Sequence, residues 1–339
     1  MHAGSNFTLK EAIIWTRRDI FKYVLISGII TTTYELFDFK WFSIPWLPMA
    51  LIGTAVAFLI GFKNNATYDR LWEARKIWGA IVNSSRTWGI MVKDFVSNTH
   101  AETPLSDADL KKIHSRLIHR HIAWLTALRH QLRQPKTWEY MDKIEYKEYK
   151  QIFKVPEEQI SLEDDLEGLI SADERTYVLS KKNRATQIIG QQSSDLRELM
   201  AAGLIEDFRH MEMENMLKDF YTQQGKSERI KNFPYPRQFA TLNLYFVWLF
   251  LLLLPFGMLA EFEKLGDHMV WLTIPFSTLV SWVFHTMERI GEATENPFQG
   301  GANDVPITNL ARTIEIDLRE MLDEPNIPEP TTPVNNILM

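Results

Sequence analysis

Apolar residues in this chain come in long blocks separated by polar stretches. Residues 41–62 carry no charge over 22 positions, residues 238–260 none over 23, and residues 269–287 have His285 as their only titratable side chain over 19. At about 1.5 Å of rise per residue, each block forms a helix long enough for a hydrocarbon layer of roughly 30 Å. Residues 20–37 make a weaker fourth block, because Lys22 and Glu35 bracket only twelve uncharged positions. Both of those side chains can snorkel to an interface. The pattern predicts an all-α membrane protein with four transmembrane helices, at about 20–37, 41–62, 238–260 and 269–287.

The remainder is polar and helical. Residues 63–236 and 288–322 form the expected cytoplasmic region, with breaks at Pro104, Pro135 and Pro156. Ile113, Leu117, Ile118, Trp124, Leu125 and Leu128 fit one amphipathic helix, and Leu196, Leu199, Met200 and Leu204 place another at about 195–220. After the last apolar block comes the turn-rich ERIGEATENPFQGGANDVP, then a helix at about 306–322 whose Ile307, Leu310, Ala311, Ile314, Leu318 and Met321 share a face. Pro306 fits its first turn. The tail, 323–339, holds Pro325, Pro328, Pro330 and Pro333, which exclude helix and predict either disorder or an extended strap on a partner. No linker separates these pieces, so 1–339 is expected to be one unit.

Lys and Arg near the block ends set the orientation. Arg17, Arg18 and Lys22, then Lys63, Arg70, Arg75 and Lys76, then Arg229, Lys231 and Arg237, and finally Arg289 all lie on one side. The opposite side has Lys40 and Lys264 among Asp38, Glu261, Glu263 and Asp267. Both termini and the long middle section are therefore expected in the cytoplasm.

Composition narrows the function by exclusion. A net charge of −6 offers no general affinity for nucleic acid, and the absence of cysteine removes thiol and disulfide chemistry. The N-terminus lacks the pattern of a cleaved signal peptide, and no repeat of 20 to 50 residues is visible. The chain has no phosphate-cradling glycine loop, GxSxG elbow or HExxH, so no enzyme and no cofactor are expected. His114, His119, His121 and His130 are spaced by 5, 2 and 9, which does not gather them on one helix face as a metal site requires. With Arg116, Arg120, Arg129 and Arg133 they read as a solvated basic surface, one that could attract anions to a vestibule. Glu163, Asp164, Asp165 and Glu167 read as a solvated helix start and lack the order of a calcium loop.

Two stripes on residues 41–62 carry the functional expectation. Gly53, Ala57 and Gly61 are small residues at four-residue spacing, suited to close helix packing in lipid. Thr54, Phe58 and Phe62 form the adjacent stripe. Four helices enclose no pore of their own, but several copies, each giving one helix to an axis, would make a phenylalanine ring that gates by dewetting. The apolar blocks contain no acidic pair of the kind proton-coupled pumps use, which argues against a coupled transporter.

At this point the chain resembles the bestrophin-like channels of bacteria. The resemblance rests on GTAVAFLIGFKNNATYDRLWEARKIWG, on RHQLR, on RIKNFPYPRQFATLNLYFVWLFLLLLPFGM and on ENPFQGGANDVPITNLARTIE, in that order. It implies a homopentamer in the inner membrane with one central pore, passing monovalent ions passively. Chloride is the family default; a monovalent cation channel of the same architecture and a membrane-embedded interaction protein are the alternatives. The family's neck residues carry over onto Thr54, Phe58 and Phe62, with Thr54 departing from the apolar pattern. Its cytoplasmic aperture carries over onto Ile205, in GLIED. Animal members have a calcium clamp after the ENPF block. Here Glu292, Asn296 and Asp304 mark that post-span turn without the acidic run, so no metal site is expected. The family's C-terminal strap around neighbouring subunits would account for the tail.

Overall fold

A capping box starts the first helix. Thr8 Oγ1 accepts from the Glu11 N–H at 3.2 Å, the Glu11 carboxylate accepts the Thr8 N–H at 2.7 Å, and α1 runs Leu9–Leu36 in this computed structural model. The structure describes residues 1–101, 103–141, 143–266 and 268–339, so Asp267 lies outside the described residues. The helices that follow are α2 (Trp46–Phe95), α3 (Asp107–Arg133), α4 (Ile144–Lys150), α5 (Leu162–Asp165), α6 (Ala172–Leu179), α7 (Arg184–Ala201), α8 (Asp207–Asn232), α9 (Arg237–Glu263), α10 (Thr273–Thr294) and α11 (Ile307–Met321). Among the described residues there is no strand, as the apolar pattern predicts.

The chain divides into two compact units. Residues 4–71 and 234–296 form an apolar unit; residues 1–3, 72–233 and 297–339 form a polar one. α2 contributes its first half to the apolar unit and its second half to the polar one.

In the apolar unit, Tyr23, Met49, Val56, Ile60, Val247, Phe250, Leu251 and Leu254 form one core. Two glycines set the approach of α2 to α9. A Cβ on Gly53 would meet the Phe250 ring at 2.8 Å, and one on Gly257 would meet Met49 Cγ at 2.7 Å. Among the described residues three segments are long and apolar enough to cross a membrane: 40–100, 237–263 and 269–294. The expected first span is not one of them. α1 carries Asp19, Lys22 and Glu35 along its apolar part, and its inward stripe is polar: Thr16, Asp19, Tyr23, Ser27, Thr31 and Tyr34 are buried. Its outward residues, Phe21, Val24, Leu25 and Ile29, are apolar and exposed. That inversion of the usual soluble pattern suits a helix bathed in lipid.

The polar unit is organised on α3, which corrects the sequence expectation for its basic residues. Arg120, Arg129 and Arg133 are internal rather than solvated, whereas Arg116 stays about half exposed. Arg116 pairs with Asp195 at 2.7 Å, and Arg120 with Glu174 and Asp195 at 2.6 Å each. Arg129 pairs with Glu157 at 2.5 Å and Asp165 at 2.8 Å, and His130 lies 3.0 Å from Asp165. Arg133 reaches Asp304 at 3.2 Å. The flanking arginines hold the buried Glu157 carboxyl below its ordinary range against the opposing effect of burial. The buried cations Arg120, Arg129 and Arg133 are neutralised from within. The acidic run behaves as expected at its start, where Ser161 caps α5 through the Asp164 N–H at 3.1 Å, but Asp165 belongs to the internal network.

Among the described residues His121 has no carboxylate partner. It donates to or accepts from Ser85 Oγ at 2.9 Å and lies among the rings of Trp88, Trp124 and Phe220. Burial lowers its pKa from 6.5 to about 3. Between those values the unfolded chain binds the proton and the folded chain does not, so stability rises with pH across this window and is fully present above it. Acidifying purified protein from pH 6.5 to pH 4 is expected to lower its thermal midpoint progressively through this residue. His121→Phe should flatten that dependence in a thermal melt, and an unaltered slope would remove His121 as its source.

One helix was expected at about 195–220; the structure has two, α7 and α8. Gly203 breaks them. It sits at φ 73°, and a Cβ there would meet the His100 carbonyl oxygen at 2.9 Å. Only glycine takes that conformation without strain. Gly203→Ala is expected to destabilise the polar unit by about 1–2 kcal/mol, read as a lower thermal midpoint.

The last residues of the tail pack on their own chain. Asn335 and Asn336 both take positive φ, and Val334 pairs with Ile337, making a tight turn of the asparagine-favouring type. Ile337 and Met339 then bury against Phe153, Val155 and Ala302 of the same chain. The Asn309 N–H donates to the Met339 carbonyl at 2.7 Å, and Asn335 Nδ2 donates to the Ile152 carbonyl at 2.6 Å.

Candidate pore-lining face

α2 is amphipathic in an unusual sense. Met49, Gly53, Val56, Ile60, Lys63 and Thr67 are buried within the apolar unit, at steps of three and four residues. The opposite side is exposed and largely apolar. Thr54, Phe58 and Phe62 lie on it, with Phe58 64% and Phe62 70% exposed. The Thr54 hydroxyl donates to the Ala50 carbonyl at 2.9 Å, so it is partly satisfied by its own helix. Toward the C-terminal end of this half, Asn65 and Asp69 are exposed, and the face changes from aromatic to polar.

The small-residue stripe divides. Gly53 packs against Phe250, whereas Ala57 and Gly61 face outward, and nothing lies within 4 Å of a Cβ placed on Gly61. The glycine that completes the contact with α9 is Gly257, which the stripe on residues 41–62 did not reveal.

A buried polar lock fixes the inner end of this half of α2. Lys63 Nζ donates to Glu288, and Asn243 Nδ2 donates to the other oxygen of that carboxylate. All three side chains are buried. One residue on, Asn64 Nδ2 donates to the Met287 carbonyl at 3.1 Å, and Gly291 leaves room for the Asn64 side chain, which a Cβ would strike. Thr67 and Thr294 hydroxyls meet at 3.1 Å. The lock ties α2 to α9 and α10 on the side away from Phe58 and Phe62, and so fixes the rotation of the exposed stripe. Sequence reading counted Lys63 as an orienting surface charge. Its burial could have been suspected from its step of three after Ile60 on the apolar side of the helix.

The remaining candidate residues fall elsewhere. Glu292 and Asn296 are buried in the apolar unit, where Arg237 pairs with Glu295 between them. Asp304 is buried in the polar unit, accepts the Gly300 N–H at 2.7 Å and holds the turn against Arg133. Burial pushes its carboxyl up, with Arg133 opposing. Ile205 lies between α7 and α8 and is 3% exposed, so in the single chain it is a core residue and gives the aperture expectation no support.

A family model described as Bacterial/Fungal Bestrophin protein matches residues 7–320. The chain belongs to that family. Among its bestrophin relatives, the voltage-dependent anion channel-forming protein YneE of Salmonella typhi is 27% identical over 290 residues, covering 84% of this chain and 80% of that one. A voltage-dependent anion channel-forming protein of Ralstonia nicotianae is 28% identical over 280 residues, covering 83% of this chain and 78% of that one. The fold matches the crystal structure of a bacterial Bestrophin homolog from Klebsiella pneumoniae with a TM-score of 0.74 at 24% identity, over 91% of this chain and 98% of that one. The bestrophin fold thus accounts for the all-helical architecture.

Proposed function

We propose that this chain is the subunit of a homopentameric ion channel of the inner membrane that passes monovalent anions, with chloride as the natural candidate. The observation that carries the proposal is the exposed Thr54–Phe58–Phe62 stripe on a helix whose other side is locked by Lys63, Glu288 and Asn243. A phenylalanine pair left bare by its own chain, on a helix long enough to span a membrane, needs a partner surface. Copies of itself around an axis supply a closed one, and their rings form a hydrophobic constriction. Edge-on rings present partial positive charge and favour anions. The names of the bestrophin relatives agree with an anion-channel function. In this proposal α1 is the fourth span, its apolar outer face turned to lipid, and both termini are cytoplasmic.

Purified protein in liposomes tests the proposal. It predicts rapid chloride flux down a gradient and, under a potassium chloride gradient, a reversal potential close to that of chloride. A reversal potential close to that of potassium would make it a cation channel of the same architecture. Absence of flux would favour an interaction protein.

A further inference from the structure

A second polar line runs through the apolar unit, along the seam between α1 and α10. On α1 it comprises Thr16, Asp19, Tyr23, Ser27, Thr31 and Tyr34; on α10 it comprises Thr273, Ser277, Ser281, His285 and Arg289. All are buried, and steps of three and four residues keep each set on one helix face. Hydroxyls at helix seams commonly bond their own backbone, as Thr16 does to the Ala12 carbonyl and Ser27 to the Tyr23 carbonyl, both at 2.7 Å. Thr31 and Thr273 break that habit. Both are 0% exposed, and neither hydroxyl has a partner among the described residues. An unsatisfied hydroxyl in an apolar medium is costly, and a water held in the seam is the economical remedy.

The ionisable groups continue the line. Ser27 Oγ lies 3.5 Å from Thr278 Oγ1, and the Tyr23 hydroxyl bonds His285 Nδ1. His285 Nε2 is 3.8 Å from Asp19 Oδ2, which accepts from Arg289 at 2.7 Å. Asp19 Oδ1 lies 3.4 Å from Lys22, whose side chain is about half exposed. At the other end the Tyr34 hydroxyl bonds Glu263, also about half exposed. A carboxylate therefore stands at each end of a buried row of hydroxyls and one imidazole: the half-exposed Glu263 at one, and at the other the buried Asp19, 3.4 Å from the half-exposed Lys22. The charged groups facing His285 are Asp19 and Lys22 from α1 and Arg289 and Glu292 on its own helix, while α9 presents the Trp248 ring.

We propose that this seam conducts protons across the membrane in each subunit, separately from the neck. Ionisable side chains at membrane depth usually serve a transport path, and a hydroxyl–imidazole–carboxylate order is what proton hopping requires. A proton reaching the Tyr23 oxygen from the hydroxyl row lets Tyr23 pass its own proton to His285 Nδ1. His285 then releases its Nε2 proton to Asp19, which yields it to solvent beside Lys22. One proton enters and one leaves, each group regains its starting charge, and His285, left as its Nδ1–H tautomer, returns to the Nε2–H form by a ring flip before the next proton. This inference depends on α1 being a span and does not depend on the central pore.

The test uses purified protein in potassium-loaded liposomes with sulfate as the only small anion, valinomycin to set the voltage and a pH dye inside. Wild type is expected to admit protons faster than protein-free liposomes. Tyr23→Phe and His285→Gln should each cut that rate at least tenfold, with chloride flux measured separately staying within twofold of wild type. Thr31→Val preserves side-chain shape and should show the same selective loss, which keeps the test decisive if either other variant misfolds. Wild-type proton entry no faster than protein-free liposomes, or proton entry retained in the variants, overturns the seam. Chloride flux absent while proton entry persists would overturn the anion-channel proposal alone.

Discussion

Truncating either phenylalanine of the proposed neck is expected to raise single-channel conductance roughly two- to fivefold in bilayers, and truncating both to raise it further. Phe58→Ala and Phe62→Ala each remove a ring that the structure leaves exposed and unsupported by its own chain. In a ring of subunits that deletion is repeated around the axis. The constriction both widens and becomes easier to wet, and dewetting is the barrier such a neck imposes. Folding should be little affected, because neither ring belongs to the apolar core built by Met49, Val56, Ile60 and Phe250. Normal thermal stability with unchanged conductance in both variants would take these rings out of the permeation path.

The second large effect concerns the buried lock of Lys63, Glu288 and Asn243. Lys63→Met leaves the Glu288 carboxylate buried beside Asn243 without its cation, and Glu288→Leu leaves the ammonium without its anion. Breaking one side of a buried pair typically costs about 3–5 kcal/mol, because the remaining charge is stranded away from water. Each single variant should therefore melt well below wild type in detergent. The double variant Lys63→Met/Glu288→Leu should recover much of the loss, since replacing both charges with apolar groups is often near neutral. The single variants should also conduct erratically, because the lock fixes which way Phe58 and Phe62 point. A Lys63→Met melting curve that overlays the wild-type curve would show that the pair is not buried as described.

Local pattern made most of the helices legible. Three apolar blocks could be read by length and absence of charge, and the helix at 306–322 became α11 within one residue at each end. The exposed side of α2 was also legible, because four-residue spacing places Thr54, Phe58 and Phe62 together whatever surrounds them. What escaped depends on distant partners. Nothing near Arg120 or Arg133 announces that Glu174 and Asp304 will neutralise them, so α3 read as a basic surface. Lys63 looked like an orienting charge because Glu288 lies 225 residues away. The break at Gly203 was readable in principle, as a glycine following a helical run, but the apolar positions on both sides masked it. α1 was the weakest expected span because Lys22 and Glu35 bracket its apolar run, while Asp19 and the hydroxyls of Thr16, Tyr23, Ser27 and Thr31 are buried.

Phe62→Cys tests the central claim most directly, because the chain has no cysteine of its own and a single thiol reports on a single position. With a water-soluble, charged methanethiosulfonate reagent added while current is recorded, a ring of Phe62 side chains around a shared aqueous axis predicts rapid labelling and loss of most of the current. Current that persists undiminished, with the thiol reached only by lipid-soluble reagents, would place Phe62 against acyl chains and contradict the account.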